Sequence, residues 1–211
     1  MPKPHRLFYP TELINRQVTR LQRDLRRIYS LYRRRQLSGL QALLLGDTKI
    51  TASFNQTLAD IKKYLQKHNL SFSGDQQEVN DGYQDTIRRW RNIFDGKATA
   101  AACTCTECLV LKAAPMNYWE SLPGVLRRID GLSQDLQFKT VNNAMKMIAP
   151  DNGATWLHWI TAQDDNVCPE CLAKAAGGKN GYYRVTWFLP QMPLHPGDRC
   201  QYDLVFDDLD S

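Results

Sequence analysis

Residues 156–200 read WLHWITAQDDNVCPECLAKAAGGKNGYYRVTWFLPQMPLHPGDRC, and the character of the chain turns on them. An aromatic run around Trp156 and Trp159 leads into Cys168-Pro-Glu-Cys171. A Gly-rich polar spacer follows, then Tyr182 and Tyr183, then two prolines and His195-Pro-Gly-Asp-Arg-Cys200. The spacing is C-x2-C, 23 residues, and H-x4-C. Thiolate and imidazole are the donors of closed tetrahedral zinc sites, which use four ligands. A tight turn lets Cys168 and Cys171 face one ion, and the glycines and prolines let His195 and Cys200 approach from far along the chain. The expected cofactor is a structural Zn2+ on Cys168, Cys171, His195 and Cys200, its binding energy helping a module with little core of its own. The plainer readings are buried thiols or a Cys168–Cys171 disulfide. Four good ligands leave no open position for water, which argues against a catalytic metal.

Outside this stretch the periodicity is helical. From Thr11, read as an N-cap, Ile14, Val18, Leu21, Leu25, Ile28 and Tyr29 step by three and four to about residue 37. Leu40–Leu45 continue as far as Gly46, and Asp47 or Thr48 is read as capping a second helix through Ile50, Phe54, Ile61 and Leu65. A third helix is expected over about 76–94, with Val79, Ile87 and Trp90 on one stripe. Residues 117–129 read as a helix interrupted by Pro123-Gly124, and another opens near Leu132 and stops at Pro150. Short β-branched and aromatic runs then predict strands at 155–162, 182–189 and 202–206. The expected fold class is α+β: a mostly helical N-terminal region followed by a small, zinc-tied α+β module. The divisions drawn are 1–46, a basic helical arm; 47–150, a helical domain; and 151–211, the metal-stapled module.

Charge is segregated. The net charge is +5, yet residues 1–36 alone carry +8 and the remainder −3. Eight of the basic residues are Arg16, Arg20, Arg23, Arg26, Arg27, Arg33, Arg34 and Arg35. Guanidinium forks suit phosphate and carboxylate, so these arginines are candidate polyanion ligands, with the DNA backbone as one partner, and a solvated helix face as the plainer alternative. No apolar run nears the ~18 residues of a membrane span, and residues 1–10 lack the apolar core of a signal peptide. The expected compartment is a cytoplasm, where reducing conditions favour metal thiolates over disulfides.

The string TAQDDNVCPEC, a Gly-rich spacer, and P-x-H-P-x-x-R-C together resemble the C-terminal domain of phage minor head proteins, the head-morphogenesis proteins of the Mu F-like type. That pattern runs W-x-T-A-x-D-x-x-V-C-P-x-C, a loop, and P-x-H-P-x-C-R-C. Trp159, Thr161, Ala162, Val167, Cys168, Pro169, Cys171, Pro193, His195, Pro196, Arg199 and Cys200 match it, with Asp164 or Asp165 at the acidic position. The resemblance covers roughly the last quarter of the chain. Where the family often has a cysteine before the arginine, this chain has Asp198. The resemblance implies a structural virion protein, not an enzyme. It would sit with the portal or major capsid protein in the head, after assembly in the host cytoplasm, and act in head assembly and DNA packaging or ejection. It implies no small-molecule substrate.

Other features fit less neatly. Cys103, Cys105 and Cys108 lie within six residues, as a second metal or thiol cluster or as oxidisable thiols. His158 reads as a structural histidine bonded to a backbone group. Asp164 and Asp165 read as turn caps, with acid–base work as the alternative. No Walker loop, G-x-G-x-x-G or G-x-S-x-G is present. The competing functional class is a zinc-dependent nucleic-acid-binding protein or nuclease.

Overall fold

A computed structural model describes residues 5–72, 77–94, 121–162, 167–186, 189–190, 192, 198–207 and 209. In chain order the elements are β1 (Arg6–Phe8), α1 (Thr11–Arg33), α2 (Gly39–Lys67), α3 (Gln77–Phe94), α4 (Leu122–Asp151), β2 (Trp156–Ile160), α5 (Pro169–Asn180), β3 (Tyr182–Arg184) and β4 (Gln201–Val205). The fold is α+β: a helical region first, then a small mixed module.

The 30-residue helix α4 is the spine. Ser121 caps its N-terminus by accepting from Gly124 N–H at 3.3 Å, and Pro123 sits in the first turn, where no helical partner for an N–H is needed. The Pro123-Gly124 pair therefore begins a helix; the break expected there does not occur. Along α4, Val125, Ile129, Leu132 and Leu136 join one apolar cluster with Leu21, Leu25, Ile50, Phe54 and Trp90. Further along, Phe138, Val141, Ala144, Met145 and Ile148 join a second cluster with Ile14, Val18, Ile61, Leu65 and the sheet. The helices α1 and α2 run antiparallel and also contribute to both.

Polar groups form a layer between the clusters. Buried Gln137 accepts from the Thr57 hydroxyl and donates to Ser53 Oγ at 2.9 Å, and Gln17 donates to Asp60 at 2.9 Å. Such a layer opposes any sliding of one helix against another, since a slip would strand buried polar atoms. A charged group pins α3 to α4: Arg89 bonds buried Asp135 and lies 3.8 Å from Asp85, which Lys139 approaches to 3.4 Å. Burial pushes the Asp85 carboxyl up, but Lys139, Arg88 and Arg89 outweigh it and hold it below its ordinary value.

Gly46 does not end a helix. Ser38 and Gln41 form a reciprocal capping box at 3.2 and 2.9 Å, and α2 then runs unbroken from Gly39 to Lys67. Gly46 is inside it because a Cβ there would lie 2.0 Å from Trp90 Nε1. The cap of α1 is Pro10; Thr11 is already helical and its hydroxyl donates to Gln201 Oε1 at 2.7 Å.

The sheet is antiparallel throughout, in the order β1-β4-β2-β3. Leu7, Leu204, Leu157 and Tyr183 form one row across it, with Trp159 and Tyr202 paired in β2 and β4. All are buried in the cluster that includes the C-terminal half of α4. The strand β1, in what reads as a proline-containing lead-in, places Arg6–Phe8 in the C-terminal sheet. The division expected at 46 falls inside α2, and α1 is buried along one face. The spacer after Cys171 is the helix α5, with non-helical backbone at Gly177, Gly178 and Lys179 and a left-handed Gly181 at its cap. No helix among the described residues is long and apolar enough to cross a membrane.

On the other face of the sheet, His158 bonds a side chain. Arg6 donates to Asp203 at 2.6 and 2.8 Å and to His158 Nδ1 at 2.7 Å, and the imidazole stacks on Tyr182 at 4.1 Å. Guanidinium only donates, so Nδ1 accepts and the ring proton sits on Nε2. Burial first, and Arg6 second, hold the His158 pKa below 6.5. A base with a lowered folded pKa contributes stability that is fully present above 6.5 and is lost as pH falls from there through the folded pKa. His158→Gln keeps an acceptor for Arg6 and cannot titrate. Denaturant midpoints measured from pH 7 down to pH 5 should fall less in this variant than in the wild type.

Candidate metal centre

The centre is built where α5 begins and β4 begins. Cys168 is the N-cap of α5, accepting from Cys171 N–H at 3.4 Å, with Pro169 and Glu170 in the first turn. C-x2-C therefore places both thiols at a helix N-terminus, one turn apart and joined by the Cys171 N–H. From the other side, Asp198 Oδ1 accepts from Cys200 N–H at 2.8 Å, folding the backbone so that carboxylate and thiol share one corner. The next link is Asn142 of α4, which is fully buried. Its amide donates to Cys200 C=O at 3.0 Å, and its Oδ1 accepts from Tyr202 N–H at 2.9 Å.

The ligand atoms of Cys171, Asp198 and Cys200 all lie within 4.8 Å of one another, and all three residues are buried. Tetrahedral metal–sulfur and metal–oxygen bonds of about 2.3 and 2.0 Å put neighbouring donors about 3.5–3.8 Å apart, so the group needs only a small contraction to close on an ion. The group is placed to hold a metal. Ligated as carboxylate and thiolates, these donors would carry negative charge that a divalent cation would balance. Cys168 lies outside the trio but beside it. Burial, with the adjacent Cys171 side chain adding to it, pushes the Cys168 thiol up to about 11. A metal must displace that proton, so affinity should fall as pH falls.

Three of the four expected ligands, Cys168, Cys171 and Cys200, are brought together as free thiols in one core cluster. No Cys168–Cys171 disulfide forms. His195 lies outside the described residues, as do Cys103, Cys105, Cys108, Asp164 and Asp165. Asp198 joins the group although the C-x2-C and H-x4-C spacing does not include it; it stands where the resembling pattern often carries cysteine. Of the arginines, Arg26 is bound by Asp130, whereas Arg16, Arg20, Arg23 and Arg27 are exposed along one side of α1.

Asn142 supports the centre without touching an ion. Asn142→Ala should lower metal affinity about tenfold or more by freeing the Cys200 backbone. Competition against a chromophoric chelator measures it, and equal affinity in the two proteins would contradict the role. No protein-family model, curated protein or solved structure matches the chain.

Proposed function

We propose that this chain is a phage minor head protein of the Mu F-like type, a structural component of the virion head assembled in the host cytoplasm. It acts with the portal or the inner capsid in head assembly and in DNA packaging or ejection, and it is not an enzyme. One observation carries the reading. Asp198 stands where the family often has a cysteine, and its carboxylate lies within 4.8 Å of the Cys171 and Cys200 thiols. A donor has been replaced by another donor, which keeps a metal site that a neutral residue would dissolve.

Thiolates with one harder donor suit Zn2+. Cys168, Cys171 and Cys200 supply the sulfurs, and Asp198 or His195 completes the set. Asp198→Ala and His195→Ala assign that position, because only the true ligand's loss sharply lowers zinc content. Holding an ion, Cys168 and Cys171 of α5 and Cys200 beside β4 would be tied together, and β4 is already joined to β1, β2 and α4.

Co-sedimentation with the portal protein and the major capsid protein of the same phage tests the function. The proposal expects a complex with one of them and no DNA cleavage with Zn2+ or Mg2+. Failure to bind either protein, or cleavage of duplex DNA that Cys168→Ser abolishes, would favour the zinc-dependent nuclease instead.

A further inference from the structure

Together α1 and α2 form an antiparallel hairpin whose solvent side is almost free of negative charge. Residues 11–67 contain twelve Lys/Arg and four Asp/Glu. All twelve basic residues are exposed, whereas Glu12 is the only exposed acid. The other three acids are half-buried and engaged: Asp24 lies 3.5 Å from Lys49 and 3.7 Å from Arg23, Asp47 2.8 Å from Arg91, and Asp60 accepts from Gln17 at 2.9 Å. Arg16, Arg20, Arg23 and Arg27 follow the 4-3-4 spacing that keeps one side of a helix, and Lys62 and Lys63 add charge from α2.

We infer that this two-helix face binds the phosphate backbone of duplex nucleic acid without reading sequence. The four arginines span about 16 Å of helix axis. Duplex DNA presents one negative charge per about 1.7 Å of its own axis, so that length meets several phosphates at once. An acidic protein partner is less well suited, because stable protein interfaces anchor on apolar and aromatic side chains. Between the basic positions this face exposes Asn15, Thr19, Asn55 and Gln56, and the exposed leucines of the hairpin, Leu40, Leu44 and Leu45, are confined to the first two turns of α2, beside the connection to α1. Nor is there an exposed aromatic ring on either helix to stack an unpaired base. The segregation is structural: sequence alone marks α1 as basic, whereas the fold adds the α2 lysines, pairs Arg26 with Asp130 and leaves the other three acids half-buried and engaged. The inference is independent of the portal and of the metal.

The test is the anisotropy of a fluorescein-labelled 30-base-pair duplex titrated with the full chain at 50–300 mM salt. With six phosphate contacts, log K should fall against log salt with a slope of about −5, and equally for a scrambled duplex. Replacing Arg16, Arg20, Arg23 and Arg27 with Gln should flatten the slope by about 4, with the thermal midpoint unchanged. The control Arg88→Gln/Arg127→Gln/Lys174→Gln/Lys179→Gln removes the same charge from exposed positions off the hairpin and should leave the slope near the wild type. No duplex binding at 50 mM salt would overturn the inference. So would an equal loss in the control, or polyglutamate displacing the duplex at stoichiometric amounts.

Discussion

Gly46→Ala should destabilise the protein by about 3 kcal/mol or more, although the same change on an exposed helix would stabilise it by about 1 kcal/mol. The sign is what makes the test sharp. Trp90 is fully buried, its Nε1 donates to Leu43 C=O at 3.3 Å, and its ring lies edge-on to Phe94 at 5.1 Å. A Cβ 2.0 Å from Trp90 Nε1 cannot be accommodated by a side-chain flip, so α2 and α3 must separate. Urea denaturation reads the result, and a midpoint equal to or above the wild type would show that α2 and α3 do not approach so closely. Gly46→Ala combined with Trp90→Phe should recover part of the loss, since the smaller ring opens the space.

Metal removal should have the other large effect. An ion present at about 1,000 times its dissociation constant stabilises the folded state by about 4 kcal/mol, which shifts the thermal midpoint of a chain this size by about 10 °C. Chelation should therefore lower the midpoint by about that much and loosen residues 167–200 more than the helical bundle. Cys200→Ala should start from the lower midpoint and show no further loss in chelator. That non-additivity separates a metal role from the simple packing of a buried thiol. A midpoint that chelator lowers equally in wild type and variant would place the metal elsewhere.

Much of the fold is legible in the sequence where periodicity alone decides. Ile50, Phe54, Ile61 and Leu65 mark one buried face, and Val79, Ile87 and Trp90 mark another; both are helices in the structure. The misread points are those where a residue's meaning depends on what packs against it. Gly46 looks like a stop until Trp90 is placed over it. Pro123 looks like an interruption until Ser121 is seen to cap the same helix. The strand β1 has only Arg6, Leu7 and Phe8 to announce it, too few residues for alternation to show, and its pairing partner is about 200 residues away. At the candidate site, the C-x2-C spacing was readable because both thiols fall in one helical turn. Asp198 was not, because a carboxylate becomes a ligand only when its loop folds back on Cys200, and nothing local to Asp198 marks that.

The account rests on the buried group at Cys171, Asp198 and Cys200 closing on an ion. Metal content of the intact, gel-filtered protein, measured by inductively coupled plasma mass spectrometry beside the Cys200→Ala variant, tests this most directly. The predicted result is about one zinc per wild-type chain, as a closed four-ligand site requires, and a large drop in the variant. A wild-type protein that is folded, metal-free and indifferent to added zinc would contradict it.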